Sequence, residues 1–381
     1  MIQAQIQSNV FRARGLAGGG GGTIYPTPTG FQVSSNIKGT LLSAGWFLPA
    51  PAHVTGAEVW TSTDGVTYSL FSTVAPPTAN QNFAALAVGT FQWTKIRWTD
   101  GAGGFSPFTA PIQYSGQAMD WAARVTTNTT NGPGALETSG ANAMWCTLHN
   151  AGIDSLMQVV NVCAYGGGGN PSPIGVLLTP FLKGAGTDPW TSHNSTSVNA
   201  TINGYADAST GWLYTGFLGT NFPSDSDSGV TVYDIQGTSE AAAYVAGAYN
   251  SGDGLSALQT NNAGNSTASL HSLANRLSVT APNAGGMFSM NRVAANDLRL
   301  FWGNSTNPYA QVGATSAAAA GTRPAIEMYF GALGLGNPAG TLFTAHTLSF
   351  CAFHHGLTLA QATTLFNAVQ AMRTTMGGGF V

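Results

Sequence analysis

Cleaving a glycosidic bond takes two carboxylates a few ångströms apart, one to protonate the leaving oxygen and one to attack or to activate water. The close acidic pair in this sequence is Asp225 and Asp227, inside SDSDSG, where serine and glycine favour a turn over a strand. Glu58, Glu137, Glu240 and Glu327 stand alone along the chain. No catalytic carboxylate pair is therefore expected. Asp225 and Asp227, with Asp234, are weak calcium candidates, because calcium prefers several oxygen ligands. Their loop lacks the glutamate and the length of a helical calcium loop, and Asx-turn hydrogen bonding accounts for the same residues.

Histidine offers no better metal site. His354 and His355 are adjacent, and adjacent residues on a strand point to opposite faces, so with His346 they make no chelating pair. GxSxG and GxxxxGK[ST] are absent. Cys146, Cys163 and Cys351 form neither a CxxC nor an even set, which argues against a disulfide framework and a zinc site and for folding in a reducing cytoplasm. The expectation is a non-enzymatic protein without a cofactor. Aromatic residues are the remaining chemistry, since sugar rings stack on aromatic faces with little demand for charge. Trp190, Trp212 and Trp302 each neighbour Gly, Asn, Ser or Thr, and are the candidates for glycan contacts from loops, with core packing as the competing fate. Trp60, Trp93 and Trp98 are read as core or sheet-face residues.

Composition limits what can position these residues. The chain has 381 residues, 43% hydrophobic but only 7% charged, with 50 glycines and 18 prolines. A soluble domain usually carries roughly a quarter charged residues. Such a surface lacks the repulsion that keeps monomers apart, and suits a permanent assembly. The net charge is -3 and no basic run exceeds Arg12 and Arg14, so nucleic acid is not expected as a partner. No apolar run reaches membrane-spanning length, so no membrane insertion is expected. The N-terminus has no apolar stretch of the kind a secretory signal carries.

Four segments follow. In residues 1–23, Ile2, Ala4, Ile6 and Val10 alternate with amides, and five glycines, Gly18 to Gly22, follow as a tether. This is the expected anchor arm, docking elsewhere in an assembly. Residues 24–113 hold short β-favouring runs, GFQVSS, GTLLSAGWFLP, AEVWTSTDG, TYSLFSTV and FQWTKIRWTD, with Asp64-Gly65 as a hairpin signal. Residues 114–192 are read as a small α/β connector. There Met119, Trp121 and Val125 suggest a strand, and Leu136, Met144, Trp145 and Leu148 a helix. MQVVNVCAY reads as a buried strand, and a short helix is expected after Pro173. Residues 193–381 repeat strand-like runs (GVTVYDI, AYVAGAYN, LSALQT, GMFSMNRV, LRLFWGN, AIEMYFGAL, HTLSFCAF) and end in a helix. Thr358 and Gln361 make a capping box for it, Leu359, Ala362, Leu365, Phe366, Val369 and Met372 an apolar stripe, and Gly377 its stop.

The run from Trp46 through AEVWTSTDGVTYSLFSTV to WTKIRWTDGAGGFSPFT resembles a fibronectin type III domain. LTPFLKGAGTDPWTSHNSTSVNATINGYADASTGWLYTG, MNRVAANDLRLFWGNS and AHTLSFCAFHHGLTLAQATTLFNAVQAMRTTMG resemble the laminin G-like, concanavalin A-like jelly rolls of tailed-phage structural proteins. The likeness spans about Ala118 to Gly377 and implies no catalytic residues. The expected fold is mainly β: an N-terminal arm, a fibronectin type III-like β-sandwich, an α/β connector and a jelly roll closed by a C-terminal helix. The resemblance implies a virion surface protein (fibre, tail appendage or capsid decoration), made in the host cytoplasm and released by lysis. Its expected partners are other virion proteins, further copies of itself in a trimer, and cell-surface glycans. A cellular glycan-binding adhesin and a concanavalin A-fold glycoside hydrolase are the alternatives.

Overall fold

The computed structural model describes residues 25–36, 38–47, 50–129, 132–163, 173–193, 200–201, 204–206, 211–250, 254–272, 276–317, 321–335 and 340–378. The anchor arm, with Ile2, Ala4, Ile6 and Val10, and the glycine run 166–169 lie outside the described residues.

Elements are labelled in chain order. Alternating apolar and polar residues between Gln32 and Ser115 build seven strands in two sheets. One has the order β1 (Gln32–Ser35), β2 (Leu41–Gly45), β5 (Asn80–Ala84), and the other β4 (Ser69–Val74), β3 (Gly56–Ser62), β6 (Phe91–Thr99), β7 (Ile112–Ser115). This three-plus-four arrangement is the fibronectin type III-like β-sandwich. Period two is explicit in β6: Thr94, Ile96 and Trp98 are buried, whereas Trp93, Lys95 and Arg97 face outward. Outward, the Lys95 ammonium lies 3.8 Å from the Tyr68 ring centroid, and the Arg97 guanidinium 3.7 Å from that of Phe105. Trp60 and Trp93 are sheet-face residues and Trp98 is core. Gly65 turns the β3–β4 hairpin at φ +73°, and Asp64 accepts from the amides of Val66 and Thr67.

β7 runs without a linker into α1 (Gly116–Thr129), which α2 (Ala135–Asn150) follows. Here the expected strand at Met119, Trp121 and Val125 is corrected to a helix. Met119 and Trp121 have strand spacing, but Ala118, Ala122 and Val125 recur at helical spacing and are all buried, and alanine favours the helix. The expected helix at Leu136 to Leu148 is α2.

Two large, mostly antiparallel sheets make up the rest. The eight-stranded sheet has the order β10 (Ala200–Thr201), β11 (Gly204–Ala206), β24 (Thr347–His354), β13 (Ser228–Asp234), β18 (Gly286–Ala294), β19 (Asp297–Gly303), β20 (Ala310–Gln311), with β8 (Met157–Asn161) paired to β24. The nine-stranded sheet has the order β17 (Leu277–Thr280), β16 (Asn265–Ser269), β15 (Gly254–Asn262), β14 (Ala246–Asn250), β21 (Glu327–Phe330), β12 (Trp212–Leu218), β9 (Thr191–His193). β22 (Leu333–Gly334) and β23 (Gly340–Thr341) attach to it at β14. The inner faces share one core, including Val230, Val232, Phe288, Met290, Leu213, Phe330 and Phe353. The sheets draw β8 and β9 from the stretch expected to be a separate connector, so that stretch contributes strands to the larger sandwich itself. The cause is β8: Val159, Val160 and Asn161 are all fully buried, a pattern that only a strand covered on both sides satisfies.

α3 (Pro173–Leu178) and α4 (Leu359–Met376) complete the chain. Thr358 caps α4 through the expected box with Gln361, and Gly377 ends it at φ +83°. Ala362, Leu365, Phe366, Val369 and Met372 are buried, while Leu359 is exposed. α4 covers the outer face of the eight-stranded sheet, where Gln370 donates to Tyr233 Oη at 2.9 Å and Arg373 stacks over the Tyr233 ring. One hydrophobic core runs from the first sandwich through α1, α2 and α4 to this sheet, joining for example Trp98, Trp145, Phe181 and Phe350.

Candidate functional site

Strand β12 reads Trp212-Leu213-Tyr214, so the two rings share one face and Leu213 enters the core. The register sets Trp212 against His193 and Tyr214 against Thr191 on β9, and Tyr214 against Tyr329 on β21. The outer face of the nine-stranded sheet thus collects His193, Trp212, Tyr214, Tyr329 and Phe343. His193 stacks on Trp212 at 3.9 Å and Phe343 stacks on it at 4.9 Å, while Tyr214 meets Tyr329 edge to face at 4.9 Å.

Beside these rings lies an open cleft of about 270 Å³, lined by Thr187, Thr191, Tyr214, Gly216 and Glu327. Gly216 sits where the β12–β21 register shifts, at φ +68°. Its amide donates to Glu327 Oε1 at 2.5 Å, which aims the carboxylate into the cleft. Burial raises the Glu327 pKa, partly opposed by that hydrogen bond. Next to Thr187, the Asp188 carboxylate is committed to Arg124 at 2.9 Å and to Asn128 at 3.1 Å. The lining therefore offers one carboxylate, a tyrosine ring with its hydroxyl, and two threonine hydroxyls. That set can hold a polyol by stacking and hydrogen bonds, and lacks the second carboxylate that hydrolysis uses.

The three tryptophans expected in loops part company. Trp190, 1% exposed, packs on Phe330 inside the sandwich, so it cannot reach a ligand and is corrected to a core residue. Trp302 lies within β19 and packs partly against the same core beside Phe288. Trp212 is on the ring-bearing face but only 4% exposed. Tyr214, Thr191 and Glu327 were missed by the sequence reading. The signal that could have found them is period two, through Trp212-x-Tyr214 and Glu327-x-Tyr329.

The acidic turn has structural partners. Asp225 pairs with Arg323 at 2.7 Å, and Asp227 accepts from the Gly356 amide at 2.7 Å and bonds His355 at 2.7 Å. The two carboxylates serve different neighbours, and no cluster of three or more His, Cys, Asp or Glu suited to a metal occurs among the described residues. His354 points the other way, buried against Thr231 at 2.8 Å, and burial lowers its pKa to about 4.

A further cluster unites residues scattered in sequence. His346 Nδ1 lies 2.6 Å from Asp234 Oδ2, and its Nε2 lies 3.1 Å from Thr238 Oγ1 and 3.6 Å from Glu240 Oε2. Asp234 also accepts from Thr260 Oγ1 at 2.5 Å. The order Asp–His–Thr resembles a nucleophile relay. Burial disfavours the charge on His346, but the Asp234 hydrogen bond and the Asp234 and Glu240 charges outweigh it, so its pKa is raised. His346 Nδ1 is bonded to Asp234 while its Nε2 faces Thr238 and Glu240, so the cluster ties the start of β24 to the end of β13 and the loop after it as a clamp.

No family model and no curated protein matches the chain. Solved structures do. The chain is similar to one described as a myokine structure (16% identity, 24% of this chain and 96% of that one, TM-score 0.21). It is also similar to the fn3 domain of human contactin 1 (14%, 26% and 87%, TM-score 0.23) and to an Fn3-like protein from Clostridium thermocellum (19%, 24% and 92%, TM-score 0.21). Each alignment spans only about a quarter of this chain.

Proposed function

We propose that this chain is a non-enzymatic surface protein of a phage particle, on a fibre, tail appendage or capsid decoration, and that its distal sandwich binds glycans. The observation that carries the reading is the cleft at Tyr214. It joins an aromatic ring to the hydroxyls of Thr187 and Thr191 and to a single carboxylate, Glu327, the equipment for holding a sugar without cutting it. In this reading the distal sandwich is a laminin G-like jelly roll and the fibronectin type III-like module is a spacer. The shared core and the linker-free passage from β7 into α1 support a stiff spacer, because neither module can swing without exposing apolar surface. The 7% charge content supports a permanent homo-oligomer, for which a trimer is proposed, with the arm at Ile2, Ala4, Ile6 and Val10 docking on a neighbour. Electron cryomicroscopy of particles carrying the chain tests the placement. The chain is expected on the outer surface with β9 and β12 facing solvent. Its absence from the particle, or burial of that face against the particle, overturns the reading.

A further inference from the structure

Residues 341–346, from the last residue of β23 to the start of β24, cross the outer face of the nine-stranded sheet. Their Phe343 ring lies on Trp212, 4.9 Å between centroids and 14° from parallel. Beneath this cover, Trp212 Nε1 and Tyr329 Oη are buried without a hydrogen-bond partner among the described residues. Polar atoms left unpaired in a native structure call for an explanation. Opened to a hydroxyl-rich ligand, this face would give both groups a partner. The crossing is itself strained: Leu342 is 39% exposed and holds φ +54°, a conformation a non-glycine residue keeps only when its surroundings impose it.

Leu342 is held by the Tyr244 amide, which donates to its carbonyl at 2.9 Å, and Glu240 pins the residues just beyond Phe343. Its Oε2 accepts from Thr344 Oγ1 at 2.5 Å and its Oε1 from the Ala345 amide at 2.7 Å. Besides the Leu342 bond, His346 is tied to Asp234 at the end of β13 and the Thr344 amide donates to Gly331 O at 3.1 Å, so the segment is anchored from β13, the loop after it and the turn after β21. We propose that residues 341–346 form a strap that closes the Trp212 face of the glycan cleft, and that Glu240 is the latch holding it shut. Opened, the strap extends the binding surface from Tyr214 to the Trp212 indole and presents the Nε1 and Oη groups to sugar hydroxyls. This inference rests on the reading of that face as the glycan site.

The test reads the strap without any sugar. Native protein is treated with 2-hydroxy-5-nitrobenzyl bromide, which modifies accessible indoles, and each tryptophan is scored by peptide mass spectrometry. In the wild type, Trp212 should label as slowly as the core residue Trp190. Glu240→Ala should raise Trp212 labelling about tenfold, the shift from losing roughly one net hydrogen bond, with Trp190 unchanged. Phe343→Ala should raise it directly. Unchanged Trp212 labelling in either variant overturns the strap, as does a rise matched by Trp190, which would mean general loosening. A labelling response in protein that binds no glycan would sink the glycan reading and leave the strap intact.

Discussion

Asn142 on α2 stitches the first sandwich to the helices. Its side chain is almost fully buried. Oδ1 accepts from the Ser115 amide at 2.9 Å and from Ser115 Oγ at 3.0 Å, and Nδ2 donates to Gln113 O at 3.1 Å. Asn142→Ala strips a partner from a buried amide and a carbonyl at once. Each such loss costs about 1–3 kcal/mol. The Ser115 hydroxyl still accepts from the Ala118 amide at 3.2 Å and can turn, so it adds little. The expected destabilisation is about 2–6 kcal/mol, concentrated at the junction of β7 and α1. Urea unfolding followed by tryptophan fluorescence would measure it, and the variant should show a separate early transition as the module detaches. Asn150→Ala is the control. Asn150 also bonds Gln113, at 2.9 Å, but that pair is exposed, so its loss should stay within about 0.5 kcal/mol. Equal effects from the two variants, or less than about 0.5 kcal/mol from Asn142→Ala, would refute the argument that this junction is a buried, hydrogen-bonded hinge stop.

Thr358→Ala removes the α4 capping box and should cost about 1 kcal/mol, seen as a lower melting temperature. Cys146, Cys163 and Cys351 are free and buried, and burial pushes the Cys146 thiol pKa up to about 12 and those of Cys163 and Cys351 up too. All three should resist iodoacetamide in native protein at mildly alkaline pH and react once urea is added, as mass spectrometry would show. His346 has a pKa raised above its ordinary 6.5 by Asp234 and Glu240. Its stabilising contribution is therefore complete below the unfolded value and lost as pH rises through the folded one. The melting-temperature gap between wild type and His346→Asn should accordingly shrink as pH rises above histidine's ordinary value of about 6.5; a constant gap would contradict the clamp.

Most strands of both sandwiches were legible because period two and turn residues coincide, as in β3, β6, β13 and β18. β5 and β7 escaped, since NQNFA and IQYS carry too few apolar residues to show alternation. Helix α1 was misread because Met119 and Trp121 mimic strand spacing within an alanine-rich helix. The cleft was partly legible. Trp212 marks the right face, but its partners come from β9 and β21, and only strand pairing brings Thr191 and Glu327 beside Tyr214. The Asp234–His346–Glu240 clamp was invisible for the same reason, as its members are up to 112 residues apart.

Glycan binding without cleavage is the central claim, and one measurement meets it head on. Wild type and Tyr214→Ala are applied to an array of bacterial surface polysaccharides, and bound polymer is recovered and sized. Wild type should retain at least one polysaccharide at unchanged length. The variant should bind it about tenfold more weakly, the scale of one lost ring contact. Binding that ignores Tyr214→Ala, no binding at all, or shortened polymer would contradict the account.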